Sequence, residues 1–216
     1  MAVTKTKESP EKRRRRGRQE AVSEHKRGLI LKAAREVFEK EGLEGASIRA
    51  IAARAGYTAA ALYFYFDSKE AVYAELLRVS LSELGRAVDA AVSRTRTPET
   101  RLRAAAMAFY QFYADNPRDL DLGFYLFRGG MKPVGLGRER DKALNAGLEA
   151  ALHPIAEAAE AMGAPRDEAN LLMVDMFAHA SGLLLLLHTG RIRMFGASAP
   201  ALMEDYIRYR TTRVGK

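Results

Sequence analysis

Two short predicted helices, bounded by capping residues and a glycine, limit the folds that this chain can adopt. Ser47 can cap a helix in which Ile48 and Ile51 share the inward face. Gly56 can adopt the left-handed conformation that closes this helix, and Thr58 can cap the next one. Two short helices joined by a Gly-bearing turn, with a longer helix before them, predict a helix-turn-helix unit.

The second helix of this unit, in "GYTAAALYFYFDSKE" (56–70), carries more aromatic rings than a short helix can bury. Leu62 and Phe66 are four residues apart and share the inward face. Tyr63 and Phe64 are rotated from Leu62 by about 100° and 200°, and Tyr65 falls between the two sets. We expect the outward rings to face the major groove of DNA, Tyr63 bonding a phosphate and Phe64 meeting a thymine methyl or a sugar.

The neighbouring residues extend this interface. Ala59 and Ala61 are expected on the outer face, whereas Ala55 and Ala60 are small enough for two helices to cross at a tight turn. Lys69, near the start of a fourth helix, places a cation where free N–H groups already favour phosphate.

The rest of the chain is helical in pattern, and no long period-two run predicts a strand. The first helix has an apolar stripe that ends at Gly42: Ile30, Ala33, Ala34, Val37 and Phe38. The fold class is therefore all-α, with an N-terminal three-helix helix-turn-helix domain and a larger helical C-terminal domain. The predicted ranges are 1–22 for a disordered basic arm, 23–83 for the DNA-binding domain and 84–216 for the C-terminal domain.

The positive charge lies mostly in the arm. Residues 1–27 contain ten Lys or Arg and four Glu, which accounts for +6 of the net +8 of the 216-residue chain. "KRRRRGR" (12–18) repels itself too strongly to fold alone, so we expect it to be disordered until it meets a polyanion. Arg13, Arg14, Arg15 and Arg16 are predicted to lie along the minor groove or the phosphates. A solubilising tail is the competing interpretation.

The stretch "SIRAIAARAGYTAAALYFYFDSKEAVYAELL" (47–77) resembles the N-terminal domain of the TetR family of transcriptional regulators. The matching positions are Ile51-Ala52, Ala55-Gly56, Thr58, Leu62-Tyr63, Phe66, Lys69-Glu70 and Leu76. The resemblance covers roughly residues 25–80. It implies DNA contacts from Ser47, Thr58, Ala59, Ala61, Tyr63, Phe64, Tyr65 and Lys69. The chain departs from the family at Ala59, where a polar or basic residue is common, and at Tyr65, where His is frequent.

The C-terminal helices, in a protein resembling this family, would bind a small molecule of unknown identity. Its predicted contacts are aromatic or adaptable side chains with a few polar anchors. For any single apolar member, ordinary core packing is the favoured explanation. The predicted contacts are Phe109, Tyr110, Tyr113, Phe124, Tyr125, Phe127, Met131, His153, Met173, Met176, Phe177 and His179. Asp175 and His179 share a helix face, which favours a hydrogen bond between them over half of a metal site.

Residues 170–210 are predicted to form a homodimer. Ala178 and Gly182 allow a second backbone to approach closely, and Leu183–Leu187 is apolar nearly all round. Leu202, Tyr206 and Ile207 form a second stripe. A two-fold protein reads an inverted-repeat operator on double-stranded DNA. Each protomer of the dimer has one recognition helix, the short helix that carries Tyr63. We expect effector binding to change the spacing between these two helices.

Other classes fit less well. "GxSxG" and "GxxxxGK[ST]" are missing from the sequence, so neither an enzyme nor a cofactor is expected. Zero Cys excludes disulfides and suits the cytoplasm. The leucine-rich stretch 171–188 is flanked and interrupted by polar residues, which argues against a membrane span. A low-specificity nucleic-acid or chromosome-binding protein without an effector is the alternative function.

Overall fold

The computed structural model describes residues 10–123 and 135–215, and helices dominate both ranges. The α-helices are α1 Pro10–Gly45, α2 Ile48–Ala55, α3 Ala59–Tyr63, α4 Lys69–Val92, α5 Pro98–Asp115, α6 Pro117–Gly123, α7 Arg138–Ala161, α8 Arg166–His188 and α9 Ala199–Thr211. A 3-10 helix, Arg191–Phe195, follows α8. No strand occurs in the described ranges, and the all-α prediction is confirmed.

The chain divides into two compact units, residues 1–76 and 77–216, so the division falls inside α4. The sequence prediction placed this boundary after residue 83. The division coincides with no helix end that the sequence could signal, because α4 runs without interruption from Lys69 to Val92.

The first helix begins earlier than the sequence suggested. Residues 10–22, predicted to be part of a disordered arm, are helical and continuous with α1. Arginine, glutamine and glutamate are good helix formers, and Arg16 Nε lies 3.4 Å from Glu20 Oε1 one turn later, which offsets part of the charge repulsion. At the other end Gly42 has φ 70° and ψ 178°, and this break interrupts the helix where the sequence predicted its end.

The N-terminal unit has a small core formed by α1, α2, α3 and the start of α4. Ile30, Ile51 and Leu62 are fully buried. Phe38 and Tyr73 pack edge to face with ring centroids 4.8 Å apart. These contacts hold α3 against α1 and α2 and leave its other side exposed.

The C-terminal unit has a larger core contributed by α5, α7, α8 and α9, in which Leu102, Ile155, Leu184 and Met203 are almost fully buried. Its helix starts follow their sequence signals. Thr97 caps α5 in a reciprocal arrangement with Thr100. Within α7 the chain stays helical through Pro154.

One described helix, Arg166–His188, is long and apolar enough to cross a membrane by length and composition. Core helices meet the same criterion. Its six buried residues, among them Leu172, Met176 and Leu184, pack into the core of the C-terminal unit.

Candidate nucleic-acid interface and effector region

The turn between α2 and α3 is built by two side-chain caps and one glycine. The Ser47 hydroxyl oxygen accepts a hydrogen bond from the Ala50 N–H at 3.1 Å. The Thr58 hydroxyl oxygen accepts one from the Ala61 N–H at 3.2 Å. Gly56 has φ 74°, the left-handed conformation that ends α2. Both capping hydroxyls are exposed and keep their own proton for donation to a phosphate.

The outward aromatic rings lie where the helical geometry predicts. Leu62 and Phe66 are buried, whereas Tyr63 is 59% exposed and Phe64 is 89% exposed. Tyr65 is half-buried. Two neighbouring aromatic side chains without cover form an apolar surface with a hydroxyl at its edge, which suits contact with sugars, thymine methyls and phosphates.

The alanines of α3 differ from the prediction. Ala59 and Ala61 are half-buried, and Ala60, expected at the helix crossing, is exposed. The reason is geometric: Ala60 lies about 200° from Leu62 around the helix, so burial of Leu62 turns Ala60 outward. The exposed part of α3 therefore centres on Ala60, Tyr63 and Phe64.

Lys69 joins two helices of the N-terminal unit. Its ammonium donates hydrogen bonds to the backbone oxygens of Leu43 at 2.8 Å and Glu44 at 3.1 Å. Those carbonyls lie at the C-terminal end of α1, where a cation is favourable. One ammonium proton remains available for a phosphate. The geometry is therefore compatible with the predicted DNA contact, which stays a prediction.

The basic residues of the interface include two that sequence reasoning missed. Arg14, Arg15 and Arg16 are exposed on α1, whereas the Arg13 side chain lies outside the described residues. Arg49, in the first turn of α2, is also exposed. A cation there is unfavourable for the helix dipole, and this mismatch is a sequence signal for a phosphate contact.

Arg27 is the second basic residue that was not predicted from the sequence. Its guanidinium lies 4.6 Å from the centroid of the Phe66 ring and 3.2 Å from Glu75 Oε1. Arg27 therefore connects α1 to the segment that directly follows α3. The amphipathic stripe of α1 gives no sign of this contact, because the stripe reports only apolar positions.

The predicted effector residues other than His153 separate into three groups. Phe109, Tyr110, Tyr113 and Met176 are buried, while Met173, Phe177 and His179 are half-buried. Phe109 makes edge-to-face contacts with Tyr113 at 5.2 Å and with Phe177 at 5.7 Å, so one aromatic cluster joins α5 and α8. Phe124, Tyr125, Phe127 and Met131 lie outside the described residues.

The core of the C-terminal unit contains an unsatisfied polar group beside the aromatic cluster. Tyr110 is fully buried, and its hydroxyl has no hydrogen-bond partner among the described residues. Burial, together with the charge of Asp115, raises the pKa of this phenol, so it stays protonated and can donate. Leaving such a group unpaired costs about 1–3 kcal/mol.

His153 does not face the interior. Its side chain is exposed on α7, and Nδ1 lies 3.2 Å from Glu157 Oε1 one turn later. The prediction of a polar anchor at His153 is wrong, because the buried positions around it (Leu152, Ile155 and Ala156) define the opposite side of the helix.

Asp175 and His179 do not form the predicted hydrogen bond. The Tyr206 hydroxyl donates to Asp175 Oδ2 at 2.7 Å, and Arg210 Nε lies 3.0 Å from the same oxygen as an ion pair. The His179 ring instead stacks on Tyr206, with centroids 3.7 Å apart and planes within 10°. The partners come from α9, which sequence spacing along α8 cannot reveal.

An exposed apolar stripe runs along α8. Leu171, Val174 and Leu185 are each more than half exposed, and Ala178 and Gly182 lie between them on the same side. On α9, Leu202 is exposed and Tyr206 half-buried, in agreement with the predicted second stripe. Ile207 is fully buried in the core of the unit, so its assignment to that stripe is wrong.

A shallow groove of about 330 Å³ lies between α4 and α7 in the C-terminal unit, outside the predicted effector residues. Leu81, Gly85, Gly147 and Ala150 are among its lining residues. The helices come close there, since a Cβ on Gly147 would lie 3.4 Å from Leu81 Cδ1.

The described residues have the architecture of an all-helical DNA-binding regulator, with a helix-turn-helix unit near the N-terminus. Residues 30–76 match the family model described as "Bacterial regulatory proteins, tetR family". The helix-turn-helix unit is thus similar to that of the TetR family of transcriptional regulators.

Curated relatives agree with this assignment. The chain is 38% identical over 89 residues to the transcriptional activator FasR of Mycolicibacterium smegmatis, an alignment that covers 41% of each chain. It is 28% identical over 159 residues to the transcriptional repressor NicS of Pseudomonas putida, which covers 72% of this chain and 73% of NicS. The match to FasR thus spans less than half of that relative, and both names are those of regulators rather than enzymes.

Among solved structures, FadR from Bacillus subtilis, determined in complex with stearoyl-CoA, superposes with a TM-score of 0.64 at 15% identity. The match covers 87% of this chain and 98% of the FadR chain. At this identity the likeness establishes the fold.

Proposed function

We propose that this chain is a dimeric, sequence-specific DNA-binding regulator of transcription, a repressor released from an inverted-repeat operator by a small, largely apolar effector. It acts in the cytoplasm. The observation that carries the DNA-binding part is the exposure of Tyr63 and Phe64 at the end of a capped helix whose other side is buried. Relatives named as activators and as repressors both match the chain, so repression is the finer part of the proposal.

The contacts follow from the geometry of the unit. The Tyr63 hydroxyl and the protons of Ser47 and Thr58 are exposed donors for phosphate oxygens. The Phe64 ring offers an apolar contact for a thymine methyl. Because α3 presents few hydrogen-bond donors to base edges, phosphate positioning and groove shape contribute much of the specificity.

The DNA-binding proposal is tested by removing one exposed ring. Phe64→Ala removes no core contact, so stability changes by no more than about 0.5 kcal/mol. We expect affinity for a duplex selected from a random library to fall at least tenfold, as measured by fluorescence anisotropy. Phe195→Ala, which removes a ring that is 73% exposed in the C-terminal unit, is the matched control and leaves affinity unchanged.

The same assay separates the proposal from low-specificity binding. A specific regulator binds its selected duplex at least about 10³-fold more tightly than random DNA. Equal affinity for both duplexes, or an unaltered affinity in Phe64→Ala, contradicts the proposal and favours a chromosome-coating role.

The effector part of the proposal rests on the aromatic cluster of α5 and α8. An effector with one hydrogen-bond acceptor can pair with the buried Tyr110 hydroxyl, while Phe109 and Phe177 contact its apolar body. Binding shifts the DNA-binding equilibrium only by its differential affinity for the two conformations.

Tyr110→Phe tests this anchor. In the free chain it removes an unpaired buried hydroxyl and raises stability by about 1 kcal/mol in urea unfolding. Compounds found by thermal-shift screening against the unaltered chain lose at least about fivefold in affinity, since one hydrogen bond is lost. Tyr209→Phe, which removes the hydroxyl of an exposed tyrosine on α9, is the control. An affinity unaffected by Tyr110→Phe places the effector elsewhere.

A further inference from the structure

The helical start of α1 is a separate, exposed and basic element. Every residue from Arg14 to His25 is exposed. Arg14, Arg15 and Arg18 make no ion pair within the described part of the chain. Burial therefore does not explain why this segment is helical, and these three guanidinium groups have no ionic partner among the described residues.

The arginines without an ion pair lie on one side of the helix, whereas Arg16 lies on the other side with its partner Glu20. Around a helix, Arg14, Arg15 and Arg18 fall within an arc of about 100°. Glu20 and Glu24 fall on the opposite side. A one-sided row of cations matches the row of phosphates along one strand of a duplex.

The root of this element lies beside the recognition helix. Arg27 contacts Phe66, two residues beyond the exposed Phe64, and pairs with Glu75. From Arg27 back to Arg14 a helix spans about 20 Å, the length of about six base pairs. The cations are thus held at a fixed distance from the ring that faces DNA.

We propose that residues 10–26 of α1 act as a rigid helical arm that binds the phosphate backbone of the duplex flanking the operator half-site. This inference rests on the proposed DNA-binding function. The arm reads no bases, so the operator needs flanking DNA of any sequence. It replaces the disordered arm that the composition predicts.

Duplexes of two lengths test the site. The core operator selected from a random library is compared with the same core carrying about eight additional random base pairs on each side. For the unaltered full chain the flanks raise affinity at least tenfold at low salt. In Arg14→Gln/Arg15→Gln/Arg18→Gln this gain disappears. The salt slope, which is the slope of log affinity against log salt concentration, falls in magnitude by about 2.7 per protomer, about 0.9 for each lost phosphate contact.

The helical character of the arm has its own test. Gln19→Pro keeps every charge but breaks the helix between the arginines and Arg27, so the flank-dependent gain is lost. Gln19→Ala keeps it. Gly17→Ala, at a position with no atom within 4 Å of a new Cβ, favours the helix and increases the gain.

The controls make the outcomes distinct. Arg101→Gln/Arg103→Gln/Arg193→Gln removes the same net charge from exposed positions of the C-terminal unit and leaves the gain intact. A chain that binds its core operator but gains nothing from the flanks overturns the arm. Loss of the gain in the triple arginine variant but not in Gln19→Pro shows a flexible arm and overturns its rigidity. A chain that binds no duplex specifically contradicts the proposed function itself.

Discussion

Lys69 illustrates how one side chain can serve two purposes at the residue scale. Its ammonium holds the carbonyls of Leu43 and Glu44 and so joins the start of α4 to the end of α1. The same group is half-buried and retains one donor. A structural role and a phosphate contact are therefore compatible, and they have separate signatures.

Lys69→Met keeps most of the apolar stem and removes the charge. We expect it to lower the free energy of unfolding by about 1–2 kcal/mol, because two charge-assisted hydrogen bonds at a half-buried site are lost. If Lys69 also contacts a phosphate, the salt slope of DNA binding falls by about 0.9.

The matched control is Lys40→Met, which removes an exposed cation of α1. It changes neither stability nor, if the interface centres on α3, the salt slope. A destabilised Lys69→Met with an unchanged slope assigns this lysine to structure alone.

Single residues also show what the sequence can predict. Tyr63 and Phe64 lie outward because helical rotation relative to Leu62 leaves them no other place. Ala60 follows the same rule, and its misassignment came from assuming a close helix crossing. Asp175 could not be assigned, because its partners Tyr206 and Arg210 lie 31 and 35 residues further along the chain.

At the scale of elements, α8 and α9 are joined by a polar cluster at their shared surface. Tyr206 stacks on His179 and donates to Asp175, and Arg210 pairs with Asp175. Burial and the accepting carboxylate raise the pKa of Tyr206 to about 12. Tyr206 therefore keeps its proton throughout the neutral range, and His179 is the member of this cluster whose pKa is shifted downward.

Burial lowers the pKa of His179 below its ordinary 6.5, although the Asp175 charge and the Leu202 backbone oppose the shift. Between the lowered folded value and 6.5 the unfolded chain binds more protons than the folded chain, so stability rises with pH. We expect urea unfolding to show a loss of stability as the pH falls below 6.5. The loss levels off below the folded pKa.

His179→Phe keeps a ring against Tyr206 but cannot titrate, so it flattens this pH dependence. His153→Gln, at an exposed histidine, leaves it unaltered. All measurements use one protein concentration, since the proposed dimerisation would also contribute to stability. A pH dependence that persists in His179→Phe assigns it to other groups.

Elements follow from sequence where capping and glycine chemistry are local. The start of α5 at Thr97–Pro98 and the break at Gly42 are confirmed. The helix over residues 10–22 was not predicted, because repulsion within residues 12–18 was expected to outweigh the helix propensity of the arginines and of Gln19, Glu20 and Ala21.

At the scale of the whole molecule, the exposed apolar stripe of α8 is the feature that a single chain leaves unexplained. Leu171, Val174 and Leu185 expose more apolar surface in one row than isolated surface residues do. Ala178 and Gly182, at the centre of the row, carry little or no side chain. We infer that a second copy packs here with two-fold symmetry, which is the arrangement predicted from the sequence for residues 170–210.

Ala178→Arg places a long cation where the two backbones would approach most closely. We expect monomers in sedimentation velocity at concentrations where the unaltered chain is a dimer. Affinity for an isolated half-site is unchanged, because the N-terminal unit is untouched. Affinity for the full inverted repeat falls by about 10²-fold or more, since binding of the second half-site is no longer intramolecular. Ala146→Arg, on an exposed part of α7, is the control and remains dimeric. An Ala178→Arg chain that stays dimeric and binds the inverted repeat normally would move the dimer interface away from α8.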